Sequence, residues 1–340
     1  MSATLVLPLR VPPKDSAMPP TTSPRTPLLR AFQWLFFPLS LVTGITVMGV
    51  AMAHGAPVAL LATAIPLFFL VLIGVVERLL PYERDWNRAR GDVGADLSSL
   101  VIVALGVESI FKAVGPVAVI WILTMLHLPK DFSVFPRTAP FWVQCAIVIV
   151  FIDFVKYWFH RMGHETRFWW PLHSVHHAVK RVHMLNGFRI HPIYHTLTYI
   201  LGYFPCILLG APAETLFVHT VILGIVGGFQ HCNIDLRYGV LNYVFSTNEI
   251  HRWHHSTKVS EGNKNYGAIF SFFDVLFGTY HNVPGRAPAV IGMVHEEGYP
   301  LHSYLGQLAI PFTYGRRVKN AHIDDLEPLD RGGRAETPAR

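Results

Sequence analysis

Apolar length constrains this chain more than any other feature. Residues 32–52 and 58–76 form two almost charge-free runs joined by His54-Gly55-Ala56-Pro57. Each is long enough, at about 1.5 Å per helical residue, to cross about 30 Å of hydrocarbon or most of it. In lipid every backbone N–H and C=O must be satisfied within the segment, so such runs are helices. A third apolar stretch covers about 98–126, interrupted by Glu108, Lys112 and Gly115-Pro116, and a fourth covers about 140–159, delivering Asp153, Lys156 and His160 at its end. A fifth region, 193–229, is broken by Gly210-Ala211-Pro212 into two arms of barely spanning length, which cross or dip in and return. Only 15% of the 340 residues are charged, against about 25% in soluble domains. The expected fold is an all-α integral membrane protein: about four transmembrane helices plus an apolar hairpin, with a cytosolic helical cap.

Charge orients this frame. The loop from Glu77 to Asp92 carries Arg78, Arg84, Arg88 and Arg90, so the positive-inside rule makes it cytosolic, together with the N-terminus. The loop 127–138 is poor in basic residues and suits the far side. Four crossings then return the chain to the cytosol at His160. The net charge of +6 accompanies long apolar runs and no aromatic-interleaved basic motif, so it fits membrane orientation and no nucleic acid. Cys145, Cys206 and Cys232 lack CxxC spacing and read as small buried hydrophobes. The chain divides into a proline-rich disordered tail (1–29), a transmembrane hairpin (30–84), a histidine-bearing domain (85–285) and a C-terminal interfacial segment and tail (286–340). Ala, Arg, Gly and Pro usage, without a Lys-rich C-terminal retrieval signal, points to a bacterial inner membrane, the endoplasmic reticulum being the alternative. The C-terminus and the histidines are then cytosolic.

Eight histidines fall in three tight clusters: His160 and His164; His173, His176 and His177; His251, His254 and His255. All lie on the side of the charged loop. Helical spacings of three and four residues put side chains on one face, so each cluster aims several imidazoles at one point. His173 and His177 share a face while His176 is turned by about 100°. That suits two metal ions a few ångströms apart better than one, and 251, 254 and 255 repeat the pattern. His231 and His191 are further candidate ligands, and His195 is a weaker one, four residues after His191. Imidazole suits iron, copper and zinc, but only a redox metal with open positions activates O₂. His164-Glu165 does not begin a zinc-protease HExxH motif, because position 168 is Phe168. Metal-bound imidazoles usually donate their other N–H to a carboxylate or carbonyl, and Asp153, Glu165, Asp235, Glu249 and Asp274 lie near the clusters in sequence.

The pattern HxxxH, then HxxHH, then HxxHH after an apolar hairpin, resembles the sterol desaturase and fatty acid hydroxylase superfamily. Arg189-Ile190-His191-Pro192, Gln230-His231-Cys232-Asn233, Asn265-Tyr266-Gly267 and the run from Asp274 to Tyr280 look like family signatures, so the likeness covers roughly 85–285. It implies a membrane di-iron oxygenase that uses two iron ions, O₂ and electrons from a separate donor (cytochrome b5-like, a ferredoxin or a reductase) to hydroxylate or desaturate a lipid C–H bond. It also implies that His160, His164, His173, His176, His177, His231, His251, His254 and His255 are ligands. Many relatives have glutamate where this chain has Tyr194, and no cytochrome b5 domain is fused here.

The alternatives are a sterol or acyl-lipid desaturase, a non-oxygenase membrane metal-binding protein, and a scaffold that keeps the fold without turnover. A metal or proton transporter would scatter ionisable groups through several spans; here Glu108 and Lys112 are the exceptions.

Overall fold

The computed structural model describes residues 26–293 and 298–317. The tail expected over 1–29 lies outside them up to residue 25, as does the C-terminal tail beyond 317. At residue 26 a helix is already being capped. The Thr26 hydroxyl accepts from Leu29 N (3.3 Å), and Pro27 takes the first turn.

In chain order, α1 (Pro27–Ala53), α2 (Val58–Leu79), α3 (Val93–Met125) and α4 (Phe141–Glu165) are followed by the short α5 (Trp170–His177). The rod α6 comes next, running through Pro192–Thr198, Tyr199–Tyr203 and Phe204–Leu208. Then come α7 (Ala213–Gln230), α8 (Asn248–His254) and α9 (Phe272–Leu276). Helices α1, α2, α3, α4 and α7 are long and apolar enough to cross a membrane. Among the described residues, β structure is limited to three isolated bridges. The fold is therefore the expected all-α membrane architecture. The hairpin 193–229 becomes one full-length helix, α7, and one interrupted arm, α6. The third stretch passes through Gly115-Pro116 as a single helix, and its irregularity lies earlier, in a π-helical segment at Leu100–Val107.

The spans meet water-free surroundings on two sides. One face of α1, α2 and α7 packs into a shared core of Phe37, Met48, Ile73, Ile225 and Phe229. Small residues let the backbones approach. A Cβ on Gly44 would stand 2.3 Å from Ile225 Cδ1, and one on Gly224 would stand 2.5 Å from Pro66 Cβ. The other faces present large apolar side chains outward, among them Val42, Phe68, Val71, Ile110, Val117 and Trp121. Only 11% of the apolar window of α3 is buried, so that helix stands at the lipid-facing edge.

Beneath the spans, residues 165–191 and 231–293 form the cap. Buried ion pairs tie it to the start of α3. Arg181 binds Asp92 through two bonds (2.7 and 2.8 Å), and Arg189 binds Asp96 (2.6 Å) and donates to the carbonyls of Asp92 and Ala178. Bidentate pairing of this kind fixes orientation as well as charge. The apolar patch near the C-terminus folds as Tyr304–Leu308 and Ile310–Arg317. Ile310 is buried against Ala178, Met293 and Tyr299, while Leu305 and Phe312 face outward.

Candidate metal centre

Helix α4 leaves the apolar layer carrying His160 and His164 on one face. Helix α5 presents His173 and His177 on one side and His176 on another. Helix α8 and the residue after it repeat this, with His251 and His255 together and His254 apart. His231 follows directly on the last residue of α7.

Folding sorts these nine imidazoles into two buried groups. His160, His164, His173, His177 and His254 bring their ligand atoms within 4.8 Å of one another, and so do His176, His231, His251 and His255. In the first group, His160 and His254 approach through Nε2 at 2.9 Å, His164 and His177 at 3.0 Å, and His177 meets both His173 and His254 at 3.1 Å. In the second, the Nε2 separations are 2.9 Å (His231–His251), 3.1 Å (His251–His255) and 3.2 Å (His176–His231). The groups adjoin, the rings of His177 and His255 lying 4.6 Å apart. The i, i+4 pairs stay together, while the odd histidine of each HxxHH crosses to the other group.

The donor set fits transition metal. Donors about 2.1 Å from a common centre and about 90–100° apart stand about 3 Å from each other, which is the spacing found. Tautomers strengthen the argument. His160 Nδ1 lies 2.7 Å from the Tyr266 carbonyl and His254 Nδ1 lies 2.8 Å from the Lys264 carbonyl. A carbonyl only accepts, so both Nδ1 atoms carry the proton and both Nε2 atoms are bare lone pairs. Two lone pairs 2.9 Å apart repel unless a positive centre lies between them. A shared proton is a poor substitute, because burial first, and the neighbouring imidazoles after it, hold His254 well below the usual histidine value. The same causes lower His173, His176, His177, His251 and His255, and burial pushes His231 down to about 3. Neutral imidazole is the ligand form.

An outer layer holds these rings. Besides the two carbonyls, Asn263 Oδ1 accepts from His164 Nδ1 at 3.1 Å. All three acceptors lie on the first part of the loop 263–270, which two buried carboxylates grip. Asp274 accepts from Tyr266 N (2.7 Å), Gly267 N (2.9 Å) and the Thr279 hydroxyl (2.7 Å), while Asp153 accepts from Ile269 N (2.8 Å) and Phe270 N (2.9 Å). Asn265 takes a left-handed backbone at φ 56°, which Asn tolerates, and its amide donates to the carbonyls of Ile250 and His281. Of the carboxylates near the clusters in sequence, Asp153 and Asp274 act one step further out than expected, and the other three do not hold this loop. Glu165 pairs with Arg161 (2.9 Å), Asp235 with Arg237 (3.2 Å), and Glu249 with Arg237 and Asn242. Asn263 and the two carbonyls escaped the sequence reading. Asn265-Tyr266-Gly267 marked their loop, but a backbone oxygen has no residue identity to recognise.

His191 and His195 join neither group. His191 caps α6, its Nδ1 accepting from Ile193 N (3.2 Å), and its Nε2 stands 3.2 Å from the Leu308 carbonyl. Both ring nitrogens are occupied by backbone, so the expectation for His191 is corrected to a structural cap. His195 turns toward Glu108, with 3.8 Å between Nε2 and a carboxylate oxygen. Tyr194 lies against the centre, its ring 5.1 Å from that of His173 and 4.7 Å from that of Phe159.

Comparison with known proteins bears on this centre. The profile of the family described as fatty acid hydroxylase matches residues 145–279, a span that contains all nine grouped histidines. An ornithine lipid hydroxylase, OlsE, from Rhizobium tropici is 34% identical over 289 residues, covering 84% of this chain and 86% of that protein. The chain belongs to the fatty acid hydroxylase family. An alkylglycerol monooxygenase from Caenorhabditis elegans is 30% identical over 51% of this chain, which spans 32% of that protein, and methylsterol monooxygenase 1 from Rattus norvegicus is 27% identical over 46% of this chain and 53% of its own length. No solved structure matches.

Proposed function

We infer that this chain is an O₂-dependent oxygenase that hydroxylates a C–H bond of a membrane lipid at a two-iron centre held by His160, His164, His173, His177 and His254 on one side and His176, His231, His251 and His255 on the other. The observation that carries the reading is the pair of bare Nε2 lone pairs 2.9 Å apart on His160 and His254, repeated as converging Nε2 atoms in the second group. Bound iron with O₂ and two electrons supplies an oxidant for an unactivated C–H bond. The protein's share is placement. The loop 263–270 fixes three imidazoles in their Nδ1–H tautomer, burial keeps the rings neutral, and Tyr194 and Trp170 wall the first group with aromatic surface. Hydroxylation is favoured over desaturation because the three relatives named above are all called hydroxylases or monooxygenases.

The chain is a multi-pass membrane protein. Within this reading the histidine groups face the cytosol of a bacterial inner membrane, on the side of the exposed Arg88. Electrons arrive from a separate donor protein: cytochrome b5-like, a ferredoxin or a reductase. The test is metal analysis of anaerobically purified protein, followed by lipid analysis after addition of O₂ and a reductant. About two irons per chain are expected, lost in both His176→Ala and His254→Ala, with a wild-type lipid product gaining one oxygen. Zinc alone that does not exchange for iron, or no tightly held metal, would overturn the reading.

A further inference from the structure

On the membrane side of the first histidine group stands a cation that the metal centre does not use. Lys156 lies one helical turn before His160 on α4, so the two side chains leave the helix on the same face. It is half-buried and has no hydrogen-bond or ion-pair partner among the described residues. The acid one turn away, Asp153, already accepts from Ile269 N and Phe270 N. Across from it, Glu108 on α3 holds Lys112 at 3.3 Å and stands 3.8 Å from His195 Nε2. Lys156 lies within electrostatic range of both Asp153 and Glu108. Taking an ammonium out of water costs several kcal/mol unless an anion or hydrogen bonds compensate it, and ionisable groups inside membrane spans mark partners or pathways.

The backbone around this cluster is irregular on two elements. Leu100–Val107 is π-helical up to the residue before Glu108, and Tyr199–Tyr203 is π-helical just after His195. The two elements are held together by the stacked rings of Phe111 and Tyr199, 4.3 Å apart. π-bulges widen a helix and recur at functional sites.

We propose that Lys156, flanked by Glu108 and His195, receives the charged head of the lipid that the metal centre oxidises. The ammonium pairs with an anionic oxygen, carboxylate or phosphate, while Glu108 and His195 accept from and donate to polar groups beside it. This rests on the lipid-oxygenase reading and narrows its substrate to anionic or zwitterionic amphiphiles. Four residues of helix rise about 6 Å, so the carbon presented to the centre lies a few bonds from the head rather than at the tail end.

The test is direct binding to the full chain in dodecyl maltoside micelles, which carry no competing anion. The probes are radiolabelled palmitic acid, monohexadecyl phosphate and methyl palmitate. At least one anion should bind wild type on the order of tenfold more tightly than the ester, and whichever binds better assigns the head as carboxylate or phosphate. Lys156→Met should bring the anions to within about twofold of the ester, and Lys156→Arg should restore most of the difference, with metal content unchanged in both. Equal binding of ester and anions by wild type, or a preference that survives Lys156→Met, would overturn the proposal. If Lys156→Met loses its metal, the wild-type ratio alone decides. An intact anion preference in a protein that makes no oxidised lipid would sink the oxygenase reading instead, so the two failures are separable.

Discussion

At the residue scale, the centre depends on groups that never touch a metal. Asp274 holds two backbone N–H groups of the loop that orients His160 and His254, together with the Thr279 hydroxyl. Asp274→Ala leaves the two backbone donors buried without an acceptor, at a cost on the order of 3 kcal/mol, and should lower metal affinity by roughly 10–100-fold. Chelator competition reads the second quantity; unchanged affinity would show that the loop does not set the imidazoles. His164 depends on Asn263 through one side-chain bond, so Asn263→Ala should weaken metal binding with little loss of stability. The histidines also predict a pH dependence. His173, His176, His177, His251, His254 and His255 are held below the unfolded value of about 6.5. Between their folded values and 6.5 the unfolded chain binds more protons than the native one. Their contribution is therefore complete above about pH 6.5 and is lost as pH falls toward the folded values. The melting temperature of metal-free protein should fall from pH 7.5 to pH 5; a flat profile would mean these rings are not buried neutral.

Elements differ in how plainly the sequence announces them. The spans were legible because apolar length is a local signal, and α1, α2 and α4 form where their runs lie. The division of each HxxHH between two groups was legible too, because helical angle alone turns 176 away from 173 and 177. His191 was misjudged because His-Pro reads equally as ligand or as helix cap. The deciding partner, the Leu308 carbonyl, arrives from 117 residues away. The outer-layer carbonyls were hidden for the same reason: they belong to a loop whose shape is set by Asp153 and Asp274 from two other elements. Helix contacts carry their own prediction. Gly44→Leu would drive a side chain into Ile225 on α7, where overpacking costs about 1–3 kcal/mol. Reduced yield and a lower unfolding temperature are expected, while Gly49→Leu, whose added Cβ meets nothing within 4 Å, should be neutral.

For the whole molecule, the outward apolar faces define a belt that only lipid covers. Trp121 on α3 and Trp34 on α1 are 63% and 51% exposed. Brominated lipids should quench a substantial share of the tryptophan fluorescence of reconstituted protein, and Trp121→Phe should remove part of the quenchable signal. Quenching that is indifferent to that substitution would move α3 away from the bilayer.

Helix α5 supplies both histidine groups at once: His173 and His177 look one way and His176 the other, from a rod of eight residues. Helix α8 does the same with His251 and His254. Neither group can be assembled without turning the scaffold of its neighbour into place. Under the proposed two-iron reading, loading is then cooperative, because the first ion bound prepays the ordering for the second. In native mass spectra taken during iron titration, empty and doubly loaded chains should dominate, and the singly loaded chain should be the scarcest species at every ratio.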